Sequence, residues 1–201
     1  MQSTNNIYLI GPQGAGKTTI GRKLAKLSHR IFYDSDREIE NQTGVSVATI
    51  FAFEGEVGFR KREEEVIARL TLLENIVLSS GGGTILSAAN RAGLTQHGVV
   101  IYLRASLETQ LSRTNQRKGV RPLLDIPEPM QKIIELDRER RPLYESIAIH
   151  TYDTDTHSPS EISEHIIKHI VNVKNYMLIR KVPVEFFQGT TQKPSVSEGA
   201  D

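Results

Sequence analysis

The chain has 201 residues, enough for one domain with a substantial core and too few for two of ordinary size. Its 25 Lys and Arg stand against 24 Asp and Glu, a formal net charge of +1, so no positive excess marks nucleic acid as the main partner. Cysteine is absent, which removes disulfide frameworks, thiolate metal sites and a cysteine nucleophile, and is compatible with the cytosol.

The opening Met1-Gln2-Ser3-Thr4-Asn5-Asn6 is polar and lacks the basic and apolar regions of a signal peptide. No later apolar run approaches the ~20 residues that span a bilayer. Ile7-Tyr8-Leu9-Ile10 is a short β-rich run ended by Gly11, followed from Lys17 by a helical pattern with Ile20, Leu24 and Leu27 on one face. Val66, Leu70 and Leu73 form a second helical pattern leading into Ile76-Val77-Leu78, which ends at Ser79-Ser80-Gly81-Gly82-Gly83. Val99-Val100-Ile101-Tyr102-Leu103 is a buried-type strand, after which Ser106 can cap a helix carrying Leu107 and Leu111. Ile147-Ala148-Ile149 offers a further strand. Ser158-Pro159-Ser160-Glu161 then has the form of a capping box with proline at the first helical position, opening a helix with Ile162, Ile166 and Ile170. This alternation predicts an α/β fold, a mostly parallel sheet covered by helices on both faces.

Two stretches break the rhythm. From Gln116 to Pro129 the chain is polar and basic, then proline-bearing, which suits a mobile loop. Beyond about Lys174 the periodicity fades into a polar segment that cannot bury much apolar surface, so a flexible tail is expected over 174–201.

Gly11-Pro12-Gln13-Gly14-Ala15-Gly16-Lys17-Thr18 fits the G-x-x-x-x-G-K-S/T pattern at every fixed position, between a predicted strand and a predicted helix. Glycines let backbone N–H groups converge on phosphate oxygens, and the helix N-terminus adds positive potential. Lys17 is placed to reach the β and γ phosphates and Thr18 to ligate magnesium, so a triphosphate is implied. The loop does not identify an acceptor.

Phe32-Tyr33-Asp34-Ser35-Asp36 delivers two carboxylates that point the same way if the segment is extended. One can orient magnesium through water while the other accepts a hydroxyl proton from an acceptor; a solvated turn with Asp34 capping the next helix is the alternative. Phe51, Phe59 and Arg60 mix apolar walls with one planar cation, which suits a small carboxylate on an apolar ring, although on these residues alone a core helix edge with a surface arginine is the preferred reading.

With these residues in view, the sequence resembles shikimate kinase, a family of the P-loop fold related to nucleoside monophosphate kinases. The resemblance covers about residues 5–171. It rests on the segment from Gly11 through Arg22, Asp34-Ser35-Asp36, Phe59-Arg60, Gly81-Gly82-Gly83, Arg121-Pro122-Leu123-Leu124 and Arg140-Arg141-Pro142-Leu143-Tyr144, in that order.

The resemblance implies a three-layer P-loop NTPase fold in one kinase domain over 1–173, with a substrate-binding segment at about 34–63 and a mobile lid at about 114–127. It implies transfer from ATP, with Mg2+, to the 3-hydroxyl of shikimate. Asp36 matches the family's base and Asp34 the aspartate associated with magnesium. Phe59, Arg60, Gly81, Gly82, Gly83 and Arg140 match the acceptor site, the arginines gripping its carboxylate; Arg141 is the alternative to Arg140, the choice resting on register with Pro142-Leu143-Tyr144. Arg121 matches the lid arginine that can stabilise the transferring phosphoryl group. Gly14, Ala15, Gly16, Lys17, Thr18, Thr19, Arg113 and Arg121 match the ATP site, Arg113 covering adenine. No arginine stands near Thr154 to His157, where some members place a second adenine contact.

His165 and His169, spaced i, i+4, could form half a metal site, but Ile166 stands where H-E-x-x-H has glutamate, so helix-surface histidines are expected. Arg60, Lys61 and Arg62 could bind polyanions, yet Glu63, Glu64 and Glu65 follow directly, and a salt-bridged helix face is the expectation. A regulatory ATP-binding module and a kinase for another hydroxylated acid, such as gluconate, are the rival readings. Asp36 and Arg121 argue against the first, and the arginine pair with Phe59 against the second. The expected protein is a cytoplasmic monomer acting on small molecules, without nucleic-acid or membrane partners.

Overall fold

In a computed structural model of the chain, residues 6–115 and 129–171 are described. The lid expectation with Arg121 and the tail expectation lie outside them, apart from Thr114 and Asn115.

Strand β1 (Ile7–Ile10) is buried on both faces, as a continuous apolar run in the middle of a parallel sheet must be. It lies between β3 (Ile76–Ser79) and β4 (Val99–Arg104), with β2 (Ile31–Asp34) outside β3 and β5 (His150–Asp153) outside β4. All four pairings are parallel, with Ile7 opposite both Val77 and Val99.

Alternation along the strands separates two cores. Ile7, Leu9, Val77, Ile101 and Leu103 face α1 (Lys17–Ser28) and α7 (Pro159–Ile166), meeting Ile20, Leu24, Ile162 and Ile166. Tyr8, Ile10, Leu78, Val100 and Tyr102 face the other way, against side chains of α3 (Val47–Thr71), α4 (Ala88–His97) and α6 (Pro129–Ile147). Three layers result, helix, sheet and helix. Two shorter helices, α2 (Ser35–Thr43) and α5 (Leu107–Asn115), follow β2 and β4. Helix α3 is interrupted at Gly55, whose φ of 68° and ψ of −174° only glycine adopts readily.

The helix starts follow local chemistry. Ser158 and Glu161 form the reciprocal capping box of α7, and Thr109 N–H donates to Ser106 Oγ at 3.2 Å at the start of α5. Two expectations shift. Leu27 is 43 % exposed, beyond the edge of the buried stripe set by Ile20 and Leu24. The strand expected over Ile147-Ala148-Ile149 starts only at His150: Ile147 closes α6, and Ile149 is exposed although its N–H bonds Val100 O. At this sheet edge only Tyr152 is buried, so the strand is polar and the neighbouring apolar run misleads. Among the described residues no helix is long and apolar enough to cross a membrane.

Candidate active site

The strand order reverses around β1, so the loops after β1 and β3 open into one crevice at the strands' C-terminal ends. The loop after β1 is glycine-rich for steric reasons. Gly14 and Gly16 take φ of 79° and 81°, and a side chain at Gly11 would run into the carbonyl of Leu103. Ala15 is buried, Thr19 is exposed on the first turn of α1, and the α1 N-terminus opens at Gly16. Lys17 Nζ folds back over the loop, donating to Gly11 O and Pro12 O at 2.8 Å each.

Thr18 Oγ1 donates to Asp34 Oδ2 at 2.8 Å, which joins the loop to the end of β2. Asp34 occupies the N-cap position of α2 without bonding its backbone with the side chain, so the capping alternative gives way. The expected extended geometry also gives way. The strand ends at Asp34, and Asp36 lies in the first turn of α2, so the two carboxylates enter from different elements.

Asp36 Oδ1 is sealed from solvent and has no hydrogen-bond donor among the described residues. Burial, then the negative charges of Glu63 and Asp34, push its carboxyl up to about 7, against the opposing pull of Lys17 and Arg60. A carboxylate so placed can take up or release a proton near neutral pH.

The Gly81-Gly82-Gly83 run after β3 packs against these charges where a side chain could not. A Cβ at Gly81 would stand 2.6 Å from Glu63 Oε1 and 2.8 Å from Asp36 Oδ1, and one at Gly83 would overlap the Arg60 guanidinium. Gly81 N–H donates to Ser35 Oγ at 2.8 Å.

Arg60 is not the solvated cation of a surface helix. Its Nη1 meets Glu63 Oε2 at 2.6 Å, its Nη2 meets Glu56 Oε1 at 2.8 Å, and its guanidinium lies over the Phe59 ring. Burial opposes the charge, but Glu63 and Glu56 outweigh it and hold the guanidinium above its ordinary value. Arg62 pairs instead with Glu54. Phe59 is buried and packs on Phe51 with ring centroids 4.7 Å apart, so it is a core wall behind Arg60.

On α6, Arg140 is 5 % exposed, its Nε makes no hydrogen bond among the described residues and only a long 3.6 Å ion pair with Glu139 Oε2, and it lines a pocket with Pro12, Gln13 and Tyr144. Arg141 spends its guanidinium on Asp137 of the same helix and is nearly half exposed. Of the two, Arg140 borders the phosphate loop.

Arg113 donates from Nη1 to Gly14 O at 3.0 Å and Thr154 Oγ1 at 3.2 Å, and from Nη2 to Thr154 O at 2.9 Å. Its edges thus tie the loop to the end of β5. His165 and His169 pack ring on ring, centroids 4.1 Å apart, while His165 Nδ1 meets the Tyr152 hydroxyl at 2.9 Å.

Glu63 is the participant that sequence reasoning misassigned. It is 1 % exposed and accepts from both Arg60 and Thr84 Oγ1, the latter at 2.6 Å. Its signal is positional: Phe59, Glu63, Val66, Ile67 and Leu70 share the buried stripe of α3, and a glutamate in such a stripe needs partners.

For a metal, the described residues hold no group of three or more His, Cys, Asp or Glu that could bind one. The Thr18 hydroxyl beside the Asp34 carboxylate is an all-oxygen pair, which fits Mg2+ because that ion keeps several waters and takes its other ligands from phosphates.

A sequence profile of the family described as Shikimate kinase matches residues 13–171. The chain is 50 % identical over 172 residues to the shikimate kinase of Methylococcus capsulatus, covering 86 % of this chain and 93 % of that one. It is 49 % identical over 168 residues to that of Vibrio vulnificus, covering 84 % and 97 %. Among solved structures, shikimate kinase from Acinetobacter baumannii in complex with shikimate superposes with a TM-score of 0.82 at 46 % identity, over 86 % of this chain and 96 % of that one. Shikimate kinase from Aquifex aeolicus gives 0.68 at 32 % identity, over 81 % and 94 %. A parallel five-stranded sheet, a phosphate loop at its reversal point and these matches together make the chain a P-loop kinase that belongs to the shikimate kinase family.

Proposed function

We propose that this enzyme transfers the γ-phosphoryl group of ATP to the 3-hydroxyl of shikimate, giving shikimate 3-phosphate and ADP on the route to chorismate and the aromatic amino acids. The observation that carries this reading is Asp36, a donorless buried carboxylate oxygen set between the glycine run and the arginine of α3, beside a loop built for phosphate.

In this reading Lys17 and the N–H groups of Gly14, Ala15, Gly16, Thr18 and Thr19 bind the donor phosphates, and Arg113 lays its face on the adenine. Thr18 directly and Asp34 through water would hold Mg2+, which when bound neutralises charge on the β and γ phosphate oxygens. Arg60 and Arg140 grip the acceptor carboxylate, Phe59 backs Arg60, and Gly81, Gly82 and Gly83 let the acceptor ring lie against backbone. The 3-hydroxyl oxygen then bonds to the γ-phosphorus as the bond to the bridging oxygen breaks. Its proton passes to Asp36, and the electron pair of the broken bond leaves with ADP. Arg121, from the lid segment at about 114–127 of a single domain over 1–173, steadies charge on the moving phosphoryl group. We place the enzyme in the cytoplasm as a monomer; a net charge of +1 favours small-molecule partners over polyanions.

A coupled assay with ATP, magnesium and shikimate tests the reaction. ADP release that depends on shikimate is expected; none above background, with turnover on gluconate or a nucleotide, would sink the assignment. Arg60→Lys keeps the charge but loses the planar fork that meets Glu63, Glu56 and a carboxylate together. Its KM for shikimate should rise about ten-fold while the KM for ATP holds. An unaltered shikimate KM would remove Arg60 from the acceptor site.

A further inference from the structure

Tyr144 stands one helical turn after Arg140 on α6, and both line the same pocket beside Pro12 and Gln13. Its ring is buried and stacked on Tyr102 of β4, with centroids 5.1 Å apart and planes at 20°. Its hydroxyl donates to the carbonyl of Gly82, which belongs to the turn after β3. Gly82 is the middle residue of the run whose first member abuts Asp36 and Glu63 and whose last abuts Arg60. A Cβ on Gly82 would also lie 3.6 Å from the backbone nitrogen of Gln13 in the phosphate loop. One hydroxyl therefore connects the helix that bears Arg140 to the middle of the glycine turn, whose flanking residues Gly81 and Gly83 pack against Asp36 and Arg60.

We propose that Tyr144 is a positioning residue for the acceptor: its hydroxyl bond to Gly82 O fixes the offset between Arg140 on α6 and the Asp36–Arg60 side of the site. Specificity for an acid of one size follows, because a carboxylate held by two guanidinium groups reads the separation of the elements that carry them. Nothing else among the described residues bonds Gly82 O to a side chain, so losing the hydroxyl frees the turn and leaves a half-buried carbonyl without its protein donor. The aromatic stack on Tyr102 survives in Tyr144→Phe, so the fold keeps its packing and the strut alone is removed. Burial pushes the phenol well above its ordinary value, so the hydroxyl stays a donor throughout the working pH range.

The inference rests on shikimate being the acceptor, and the experiment separates the two. Wild type and Tyr144→Phe are compared for KM of shikimate, KM of ATP, kcat and Tm, with calorimetric titration of shikimate into each protein. We expect the variant to lose about ten-fold in shikimate KM and Kd, with the ATP KM within about two-fold and a Tm only slightly lowered. An equal rise in both KM values would show general loosening, and unchanged shikimate binding would show a hydroxyl that serves the fold alone; either overturns the proposal. A wild type without shikimate-dependent ADP release would instead fail the reaction itself.

Discussion

Asp36→Asn should lose about 10²- to 10⁴-fold in kcat while still binding ATP, since asparagine keeps the shape of the side chain and cannot accept the hydroxyl proton. Single-turnover rates and nucleotide titrations check the two halves; near-normal turnover would deny Asp36 the proton. The wild type carries a matching pH signature. Because burial, Glu63 and Asp34 lift the carboxyl to about 7, kcat/KM should fall with a single proton uptake near that pH in the free enzyme. Stability moves the other way. The folded value lies above the ordinary 3.8, so the contribution of this group is complete at low pH and is lost as pH rises through about 7. Asp36→Asn is therefore expected to melt above wild type at pH near 8, with the gap closing as the pH falls.

The second large effect is expected from a single added methyl group. Gly83 has φ of −98° and ψ of −3°, which alanine tolerates, so Gly83→Ala should fold. The new Cβ would occupy the space of the Arg60 guanidinium, and that group is held from its other side by Glu63 and Glu56. It must move off its partners or, on the proposed reading, off the acceptor carboxylate. Loss of one charge-assisted bidentate contact corresponds to about 1.5–3 kcal/mol, or roughly 10- to 150-fold in shikimate KM. Steady-state kinetics with each substrate varied in turn should confine the loss to shikimate. A variant with normal shikimate KM would mean that Arg60 has room to retreat and still bind.

What could be read from the sequence was what single residues and their neighbours dictate. The donor loop was legible because its chemistry is backbone chemistry, spelled out by Gly11, Gly14, Gly16 and Lys17 in a fixed order between a strand and a helix. The layered parallel sheet followed from apolar runs such as Ile76 to Leu78 and Val99 to Leu103. Asp34 and Asp36 were found, but their directions were not, since whether Ser35 continues a strand or opens a helix is decided by packing of Ile39 and Gly81. Glu63 was hidden because its partners, Thr84 and the Gly81 turn, are contributed by a different part of the chain. The bond from Tyr144 to Gly82 spans 62 positions and leaves no local pattern. The edge strand at His150 was displaced in the reading because edge strands need little apolar character.

Adjacency of β1 and β3 in the sheet has a consequence for redesign. The phosphate loop leaves β1 and the glycine turn leaves β3, and Ser80 N–H bonds Leu9 O at 3.1 Å where the two strands end. Neighbouring strands stand about 4.8 Å apart whatever their side chains. On the proposed reading, the separation of nucleotide and acceptor is thus written into main-chain geometry, which point substitutions do not rescale. If α3 and α6 supply the acceptor contacts as proposed, their residues can be exchanged to admit acids of other shapes while the phosphate donor stays in register, so changes of acceptor should be reachable by steps that each leave a working nucleotide site.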